Sequence, residues 1–176
     1  LLASSANVYG NQTEGMLDEA TAPQPANDYA VSKLAMEHMA RLWAHRLPIT
    51  IVRPLNYTGV GQSADFLLPK IVAHFRRRAA TMELGNLDAK RDWGFAGDYV
   101  EGMWRMVQQD KPDDFVLATG ETHSVREFCE ESFGLLDLDW QAFVKYDARY
   151  VRPSEVDLLL GDASKARKEL GWVPKV

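Results

Sequence analysis

The chain has 176 residues, 46% hydrophobic and 26% charged, which is typical of a globular domain and excludes disordered and fibrous classes. Its formal net charge of −5 provides no basic field for nucleic acid or acidic membranes, so neither is expected as a partner. One cysteine, Cys129, excludes an internal disulfide framework, and the scattered histidines have no metal-ligand spacing, so no metal site is predicted.

The cellular location is predicted from two kinds of segment that the sequence does not contain. No apolar run approaches the roughly 20 residues that a membrane-spanning helix needs. The N-terminus has no charged stretch followed by an apolar one, as a signal peptide would have. We therefore expect a cytoplasmic protein with no membrane span.

Short β-rich runs alternate with helical patterns, which predicts an α/β fold with a parallel sheet and helical crossovers. The predicted strands are LLASS at the N-terminus, which is expected to be buried, the run from Pro48 to Pro54, TMELG, and the run from Phe115 to Gly120. Apolar residues recur at helical spacing in three stripes: Val31, Ala35, Met39, Leu42; Leu67, Ile71, Phe75; and Val100, Met103, Trp104, Val107. We expect the first stripe to face the core and Trp104 to be buried.

Later helices carry start and stop signals. Two residue pairs fit a capping box, in which two side chains satisfy orphan N–H groups: Asp98 with Glu101, and Ser124 with Glu127. A final helix is predicted from Ala163 to Leu170, with Gly171 as its left-handed cap. Cys129 falls on the apolar side of a predicted helix and is expected to be a small buried hydrophobic residue.

The sequence YAVSK places Tyr29 and Lys33 four residues apart, so that on a helix they share one face. An ammonium group beside a tyrosine stabilises the phenolate and makes proton exchange accessible near neutral pH. Ser5, at the end of the preceding predicted strand, could hydrogen-bond the same substrate oxygen. The YxxxK pattern alone is weak, but a strand ending in Ser-Ser precedes it here and RPLNYTG follows it.

A fold that binds a dinucleotide needs a glycine-rich first turn, GxGxxG, so that the pyrophosphate can approach a helix N-terminus. The 176 residues contain no such turn. We therefore expect the isolated chain to have no turnover by itself. The strand end that distinguishes NAD from NADP belongs to the same region, so the sequence does not choose between them.

Six long stretches carry a family resemblance. The chain resembles the extended short-chain dehydrogenase/reductase family, and within it the enzymes that act on GDP-mannose and its 4-keto-6-deoxy product. The stretches most similar to GDP-4-keto-6-deoxymannose reductases are SSANVYG, YAVSKLAMEHMARLW and RPLNYTGVGQ…FLLPKIVAHF. Those most similar to GDP-mannose 4,6-dehydratases are LGNLDAKRDWGFAGDYVEGMW, FVLATGETHSVREF and RYVRPSEVDLLLGDASKARKELGW. We hypothesise that two related genes are joined near the motif at Leu84 to Asp88.

The resemblance implies the C-terminal part of a Rossmann-like doubly wound parallel sheet plus the small substrate-binding domain, with the first strands and the GxGxxG turn absent. Residues 1–84 then form the C-terminal part of the Rossmann-like catalytic domain with interleaved substrate-domain segments. Residues 85–176 are mainly the sugar-nucleotide binding portion, with interleaved Rossmann elements. The family commonly dimerises through the YxxxK helix, so a homo-oligomer is expected, with Val31, Met39 and Trp43 at the contact.

The resemblance also implies catalytic and cofactor roles. Ser5, Tyr29 and Lys33 match the family's catalytic Ser/Thr, Tyr and Lys. Tyr29 and Lys33 match the residues that also hold the nicotinamide ribose, so the implied cofactor is NADP or NAD.

Five residues match positions that contact the sugar nucleotide in the family: Asn56, Lys70, Arg91, Arg152 and Glu155. Asn56 is implied near the sugar and diphosphate, the cations on phosphate, and Glu155 on the ribose. The planar fork of Arg suits phosphate oxygens, and a carboxylate accepts from ribose hydroxyls. For Arg91, an ion pair with Asp92 is the structural alternative to a phosphate contact. The implied ligand is GDP-mannose or GDP-4-keto-6-deoxymannose.

The reaction depends on Asn7. A dehydratase oxidises the sugar at C4, removes the C5 proton, expels the C6 hydroxyl as water and returns the hydride to C6, so it needs a second base. In the dehydratases that base is a Glu at the position of Asn7, and an amide has no titratable proton to replace it. A reductase only delivers hydride to C4 while Tyr29 donates a proton. The alternatives are therefore a GDP-mannose 4,6-dehydratase-like enzyme or fragment, a reductase of its product, and a non-catalytic sugar-nucleotide-binding remnant.

Overall fold

Strands and helices alternate along the chain in the computed structural model, which describes residues 1–11, 15–77, 79–150 and 158–176. The strands within these ranges are β1 (Leu2–Ala3), β2 (Ile51–Pro54), β3 (Asn56–Thr58), β4 (Met82–Leu84), β5 (Lys90–Arg91), β6 (Trp93–Phe95), β7 (Phe115–Leu117), β8 (His123–Ser124), β9 (Val144–Tyr146) and β10 (Leu158–Leu159). The α-helices are α1 (Asp28–Trp43), α2 (Leu67–Arg77), α3 (Ala96–Val107), α4 (Val125–Gly134), α5 (Trp140–Phe143) and α6 (Ser164–Leu170).

Three parallel strands form the main sheet in the order β1-β2-β7. The middle strand, β2, is buried along its whole length, as expected for a parallel strand covered on both faces. Each predicted strand contains an observed one, and the α/β class with a parallel sheet is confirmed. The expectation that LLASS is a buried strand is wrong, because β1 lies at an edge of the described sheet and Ala3 is exposed.

The larger of two apolar cores packs on the main sheet. Its largest fully buried side chains are Tyr9, Tyr99, Phe115, Met106 and Trp172. The indole N–H of Trp172 donates to the backbone carbonyl of Asp98 at 2.8 Å, which fixes the chain after α6 against α3.

The second core packs α2 and α4 against β4 and β9. Its buried members are Ile71, Met82, Leu84, Cys129, Phe133 and Val144. Both cores draw residues from both sides of the boundary between residues 84 and 85. The division into domains at that boundary stays a prediction.

The apolar stripe predicted to bury α1 lies on its exposed side. Val31, Met39 and Leu42 are 52%, 64% and 73% exposed. The helix buries instead Ala30, Glu37 and Ala40, which follow one another at helical spacing. Helical periodicity located the large apolar residues correctly, but those residues do not face the sheet.

The expectations for α3 were also wrong. Trp104 is 61% exposed, so it is not a core residue. Phe95 is the N-cap of α3, and Asp98 lies inside the first turn, where no capping box with Glu101 forms. One carboxylate oxygen of Asp98 accepts the backbone N–H groups of Lys175 and Val176, at 2.8 and 2.9 Å, so this side chain anchors the end of the chain.

Two other helix signals are confirmed. Ser124 and Glu127 form a capping box at the start of α4, with both reciprocal hydrogen bonds present. Gly171 ends α6 in the left-handed region, with a φ of 59°. These motifs were predictable because all their hydrogen bonds lie within one helical turn.

Membrane and metal features were sought in the described ranges only. None of the helices there combines the length and the apolarity that crossing a bilayer requires. Those ranges also contain no group of three or more His, Cys, Asp or Glu side chains placed to hold a metal ion. The cytoplasmic location stays a prediction.

Cys129 is fully buried in the second core, as expected, and burial raises the pKa of its thiol to about 11. Only the thiolate reacts readily with disulfide reagents. In the native chain near neutral pH, we expect no reaction of Cys129 with Ellman's reagent, because the thiol is both covered and protonated. In denaturant, one thiol per chain should react. Rapid reaction of the native chain, measured by absorbance, would contradict this packing.

Candidate active site

The helix α1 begins beside the candidate site. Asn27 is its N-cap, and the side-chain oxygen of Asn27 accepts the backbone N–H of Ala30 at 2.9 Å. Tyr29 therefore lies in the first turn and is 51% exposed. One turn further on, Lys33 Nζ lies 5.7 Å from the centroid of the Tyr29 ring and donates to the carbonyl of Ala3 at 2.8 Å. The tyrosine and the lysine are close together, as predicted, and the lysine is tied to β1.

The segment that follows β1 forms a short 3₁₀ turn, Ala6–Tyr9. Ser5 is its N-cap, and Ser5 Oγ accepts the backbone N–H of Asn7 at 3.2 Å. A hydroxyl that accepts one hydrogen bond still has its own O–H to donate. The capping bond therefore leaves Ser5 able to donate to a substrate oxygen.

A cavity of about 590 Å³ opens next to this turn. Four of the residues expected to contact substrate or cofactor line it: Tyr29, Asn56, Lys70 and Arg91. Asn7 lines it too, whereas the described lining does not include Ser5 or Lys33. Arg152 and Glu155 lie outside the described residues. The structure thus brings one helix, one strand end and two cations to a common wall.

Strand pairing accounts for part of this wall. β3 and β6 pair in parallel, with Asn56 opposite Trp93, and both residues line the cavity. β5, which carries Arg91, pairs with β10 on one side and β8 on the other. Residues that are far apart in sequence therefore meet here because their short strands are neighbours.

Lys70 is held in a partly buried position on α2. Its ammonium donates to the backbone carbonyl of Glu83 at 2.5 Å and lies 3.8 Å from the centroid of the Tyr150 ring. Burial lowers the pKa of Lys70, although the nearby carboxylates of Glu83 and Asp147 act in the opposite direction. A cation in such a partly dehydrated wall interacts more strongly with an anion than a cation in bulk water does.

Two tyrosines of this wall were not singled out from the sequence. Tyr150 lies over Lys70, and Tyr57 packs against the buried ring of Tyr99 with the two centroids 5.2 Å apart. Both line the cavity. Nothing local in the sequence distinguishes a tyrosine at a cavity wall from one in a core.

Asp92 anchors the strand that carries Arg91. Its carboxylate is fully buried and accepts the backbone N–H groups of Thr119 and Gly120, at 2.9 and 3.0 Å, and the Thr119 hydroxyl at 2.7 Å. These bonds tie the end of β5 to the end of β7. The phosphate contact of Arg91 stays a prediction; its own guanidinium donates to the carbonyl of Lys90 at 2.7 Å.

Sequence reasoning also missed a buried ion pair below the site. Glu37 is completely buried, and both its oxygens accept from the guanidinium of Arg53, at 3.0 and 2.7 Å. Ser4 Oγ donates to the same carboxylate. Burial alone would raise the pKa of Glu37, but the hydrogen bonds from Arg53 and Ser4 outweigh it and hold the pKa below its usual value. An Arg inside a buried strand was the only signal in the sequence.

Comparison with known proteins places this chain in a family. A family model described as GDP-mannose 4,6 dehydratase matches residues 1–176. The chain belongs to this family. GDP-mannose 4,6 dehydratase 1 of Arabidopsis thaliana is 42% identical over 180 residues, covering 99% of this chain and 50% of the relative. The chain thus spans about half the length of the curated relatives that it matches, and the recognised resemblance is confirmed.

Solved structures of extended dehydratases, epimerases and related proteins share the fold. A Burkholderia cenocepacia protein is 46% identical with a TM-score of 0.90, covering 98% of this chain and 57% of that one. RMD from Pseudomonas aeruginosa, solved in complex with NADPH, is 25% identical with a TM-score of 0.86, covering 99% of this chain and 60% of that one. The Rossmann-like expectation is confirmed. The roles of individual residues and the joining of two genes stay predictions.

Proposed function

We propose that this chain provides the sugar-nucleotide site of an enzyme that modifies GDP-linked hexoses, with GDP-mannose or GDP-4-keto-6-deoxymannose in the cavity. The observation that carries the proposal is the meeting of Tyr29, Asn56, Lys70 and Arg91 on one cavity wall, in a chain that the GDP-mannose 4,6-dehydratase family matches throughout. Lys70 and Arg91 supply the positive charge that a diphosphate needs in a protein of net charge −5.

Tyr29 and Lys33 are the residues that would hold the ribose of a nicotinamide cofactor, NADP or NAD. The fit is chemical: the Lys33 ammonium and the Tyr29 phenol lie close together, and Tyr29 lines the cavity, so the two groups suit the donor and acceptor needs of ribose hydroxyls. The nicotinamide, when bound, exchanges a hydride with C4 of the sugar. Tyr29 gives a proton to the C4 oxygen or takes one from it, Lys33 stabilises the phenolate, and Ser5 donates to the same oxygen.

Reduction of a 4-keto sugar is the second candidate, and the position of Asn7 favours it. Asn7 lines the cavity together with Tyr29, where a dehydratase would place its second base. Reduction needs no such base: a bound reduced nicotinamide would supply the hydride to C4, and Tyr29 would give its phenol proton to the C4 oxygen. Dehydration needs a group that removes the C5 proton, and an amide does not do so.

Binding of a GDP-sugar to the purified chain tests the proposed site. Calorimetry with GDP-mannose should show that Arg91→Ala and Lys70→Ala each weaken binding about 10- to 100-fold, because a charge-assisted hydrogen bond contributes about 1.5–3 kcal/mol. The matched control is Arg76→Ala, which removes an exposed cation of α2 outside the cavity lining and should leave affinity unchanged. Failure to bind GDP-mannose, GDP-4-keto-6-deoxymannose and GDP, or an equal effect of Arg76→Ala, would contradict the site.

The role of Asn7 is testable by substitution in the full-length gene product. If reduction is the reaction, the wild type should oxidise reduced nicotinamide with GDP-4-keto-6-deoxymannose and form no 4-keto sugar from GDP-mannose. Asn7→Glu should then introduce 4,6-dehydration, whereas Asn7→Gln, which keeps the amide, should not. Chromatography would detect any 4-keto product that the wild type forms from GDP-mannose. Such a product would contradict the argument from Asn7 and would show that the reaction is dehydration.

We also propose that the exposed apolar stripe of α1 contacts a second copy of the protein. Large apolar side chains that remain exposed on one helix face are typical of an interface, and Trp43 extends this face at 49% exposure. Met39→Asp should shift the chain toward monomer in analytical ultracentrifugation. Leu135→Asp, at a residue 83% exposed after α4, is the control and should have no effect. A wild-type chain that stays monomeric at all concentrations would refute this contact.

A further inference from the structure

We propose that Glu37 is a positioning residue for the catalytic segment, because its carboxylate, with Arg53, fastens both ends of the stretch from Ser4 to Tyr9 to the helix that bears Tyr29. The inference rests on the proposed function, in which Ser5 and Tyr29 act on the substrate. It assigns to the buried pair a task beyond holding the fold together.

The first end of the stretch is fastened at Ser4. Glu37 follows Lys33 by one helical turn but points inward, where Ser4 Oγ donates to its Oε1. Arg53 Nε donates to the same oxygen at 3.0 Å, and Arg53 Nη2 donates to Oε2 at 2.7 Å. One carboxylate thus joins α1, the residue after β1, and β2. A two-pronged Arg–carboxylate contact fixes direction as well as distance.

The second end is fastened at Tyr9. Arg53 Nη1 donates to the Tyr9 hydroxyl at 3.2 Å, and the guanidinium lies 5.2 Å from the centroid of the Tyr9 ring. The same hydroxyl donates to the carbonyl of Asp18 at 2.7 Å. Burial raises the pKa of Tyr9 to about 12, so the phenol keeps the proton that it donates. Ser5 and Asn7 lie between the two fastened residues.

The fastening reaches the proton-transfer pair through Lys33. Its ammonium donates to the carbonyl of Ala3, the residue directly before Ser4. When Glu37 holds Ser4, the carbonyl of Ala3 stays in position to accept from Lys33. Ser5 then also keeps its position relative to Tyr29. Misplacing a reacting group by about 1 Å lowers turnover by roughly 100-fold. Lys70 and Arg91 lie on α2 and β5, outside these hydrogen bonds, so substrate affinity should not depend on the Ser4–Glu37 bond.

A buried ion pair is weak support for stability by itself, because well-packed apolar residues often serve as well. Apolar residues could not, however, accept from the Ser4 hydroxyl or donate to that of Tyr9. The hydrogen bonds at the two ends of the stretch are therefore what the charged pair adds. Arg41, which also donates to Glu37 at 3.3 Å, is exposed and bonds Asp114 as well.

The test is Ser4→Ala in the full-length gene product, which removes the bond to the strand but leaves the charged pair in place. We expect kcat with the sugar nucleotide to fall about 10- to 100-fold while KM stays within about twofold. Met106→Ala is the control, because it empties part of the buried side of α3 outside the cavity lining. It should lower Tm without lowering kcat. Wild-type kcat in Ser4→Ala, or an equal kcat loss in Met106→Ala, would overturn the inference.

Glu37→Gln removes the charge at nearly constant size. The amide oxygen of Gln can still accept from Ser4, so the double-mutant comparison uses Glu37→Met, which has no such acceptor. If Glu37→Met folds, adding Ser4→Ala to it should cause no further loss of kcat, because both changes break the same connection. Fully additive losses would count against the inference. If Glu37→Met does not fold, Ser4→Ala alone decides the question.

Hydrogen exchange separates this inference from the proposed function. In the purified chain, Ser4→Ala should speed exchange of the Asn7 amide and its neighbours in the turn, and Met106→Ala should not. Unchanged exchange in this turn would overturn the positioning role whatever the enzyme does. Faster exchange, in a protein whose wild type turns over no GDP-sugar, would support the fastening while refuting the proposed function.

Discussion

The carboxylate of Glu37 has no exposed surface, and a buried charge is strongly disfavoured unless partners inside the protein compensate it. Those partners are Arg53 in the middle strand and Ser4 at the end of the edge strand. These hydrogen bonds join α1, the residue after β1, and β2. The positions of the helix that carries Tyr29 and of the turn that carries Asn7 therefore depend on this buried ion pair, which lies outside the cavity lining.

A second buried carboxylate, that of Asp92, positions the strand that carries Arg91 and is compensated in another way. Asp92 accepts the backbone N–H groups of Thr119 and Gly120 and the Thr119 hydroxyl. Backbone donors at the end of β7 have fixed directions, so Asp92 sets the place of the strand before it, which carries Arg91. Glu37 thus connects α1 to Arg53 in β2, and Asp92 connects the end of β5 to the residues that follow β7.

The sequence predicted what depends on neighbouring residues. The buried run of β2, the capping box at Ser124 and the shared face of Tyr29 and Lys33 each follow from a few consecutive positions. Strands β3 and β5 were not predictable in this way, because their pairing joins distant parts of the chain. The burial of Glu37 is of the same kind. A glutamate on a helix is normally solvated, and only the position of Arg53 across the fold makes this one a core residue.

The two helices whose apolar stripes were misplaced share a physical cause. The sheet-facing side of α1 uses Ala30 and Ala40, and that of α3 uses Gly102, where a Cβ would come within 2.9 Å of Leu117. Small residues let a helix lie close to a sheet. On α1 the large apolar side chains lie on the other side, whereas α3 also buries Tyr99 and Met106 beside Gly102. The predicted stripes consist of other large apolar residues, and most of these are exposed. Reading size together with hydrophobicity would have placed Ala30 and Gly102 against the sheet and left the outer stripe of α1 as a contact surface.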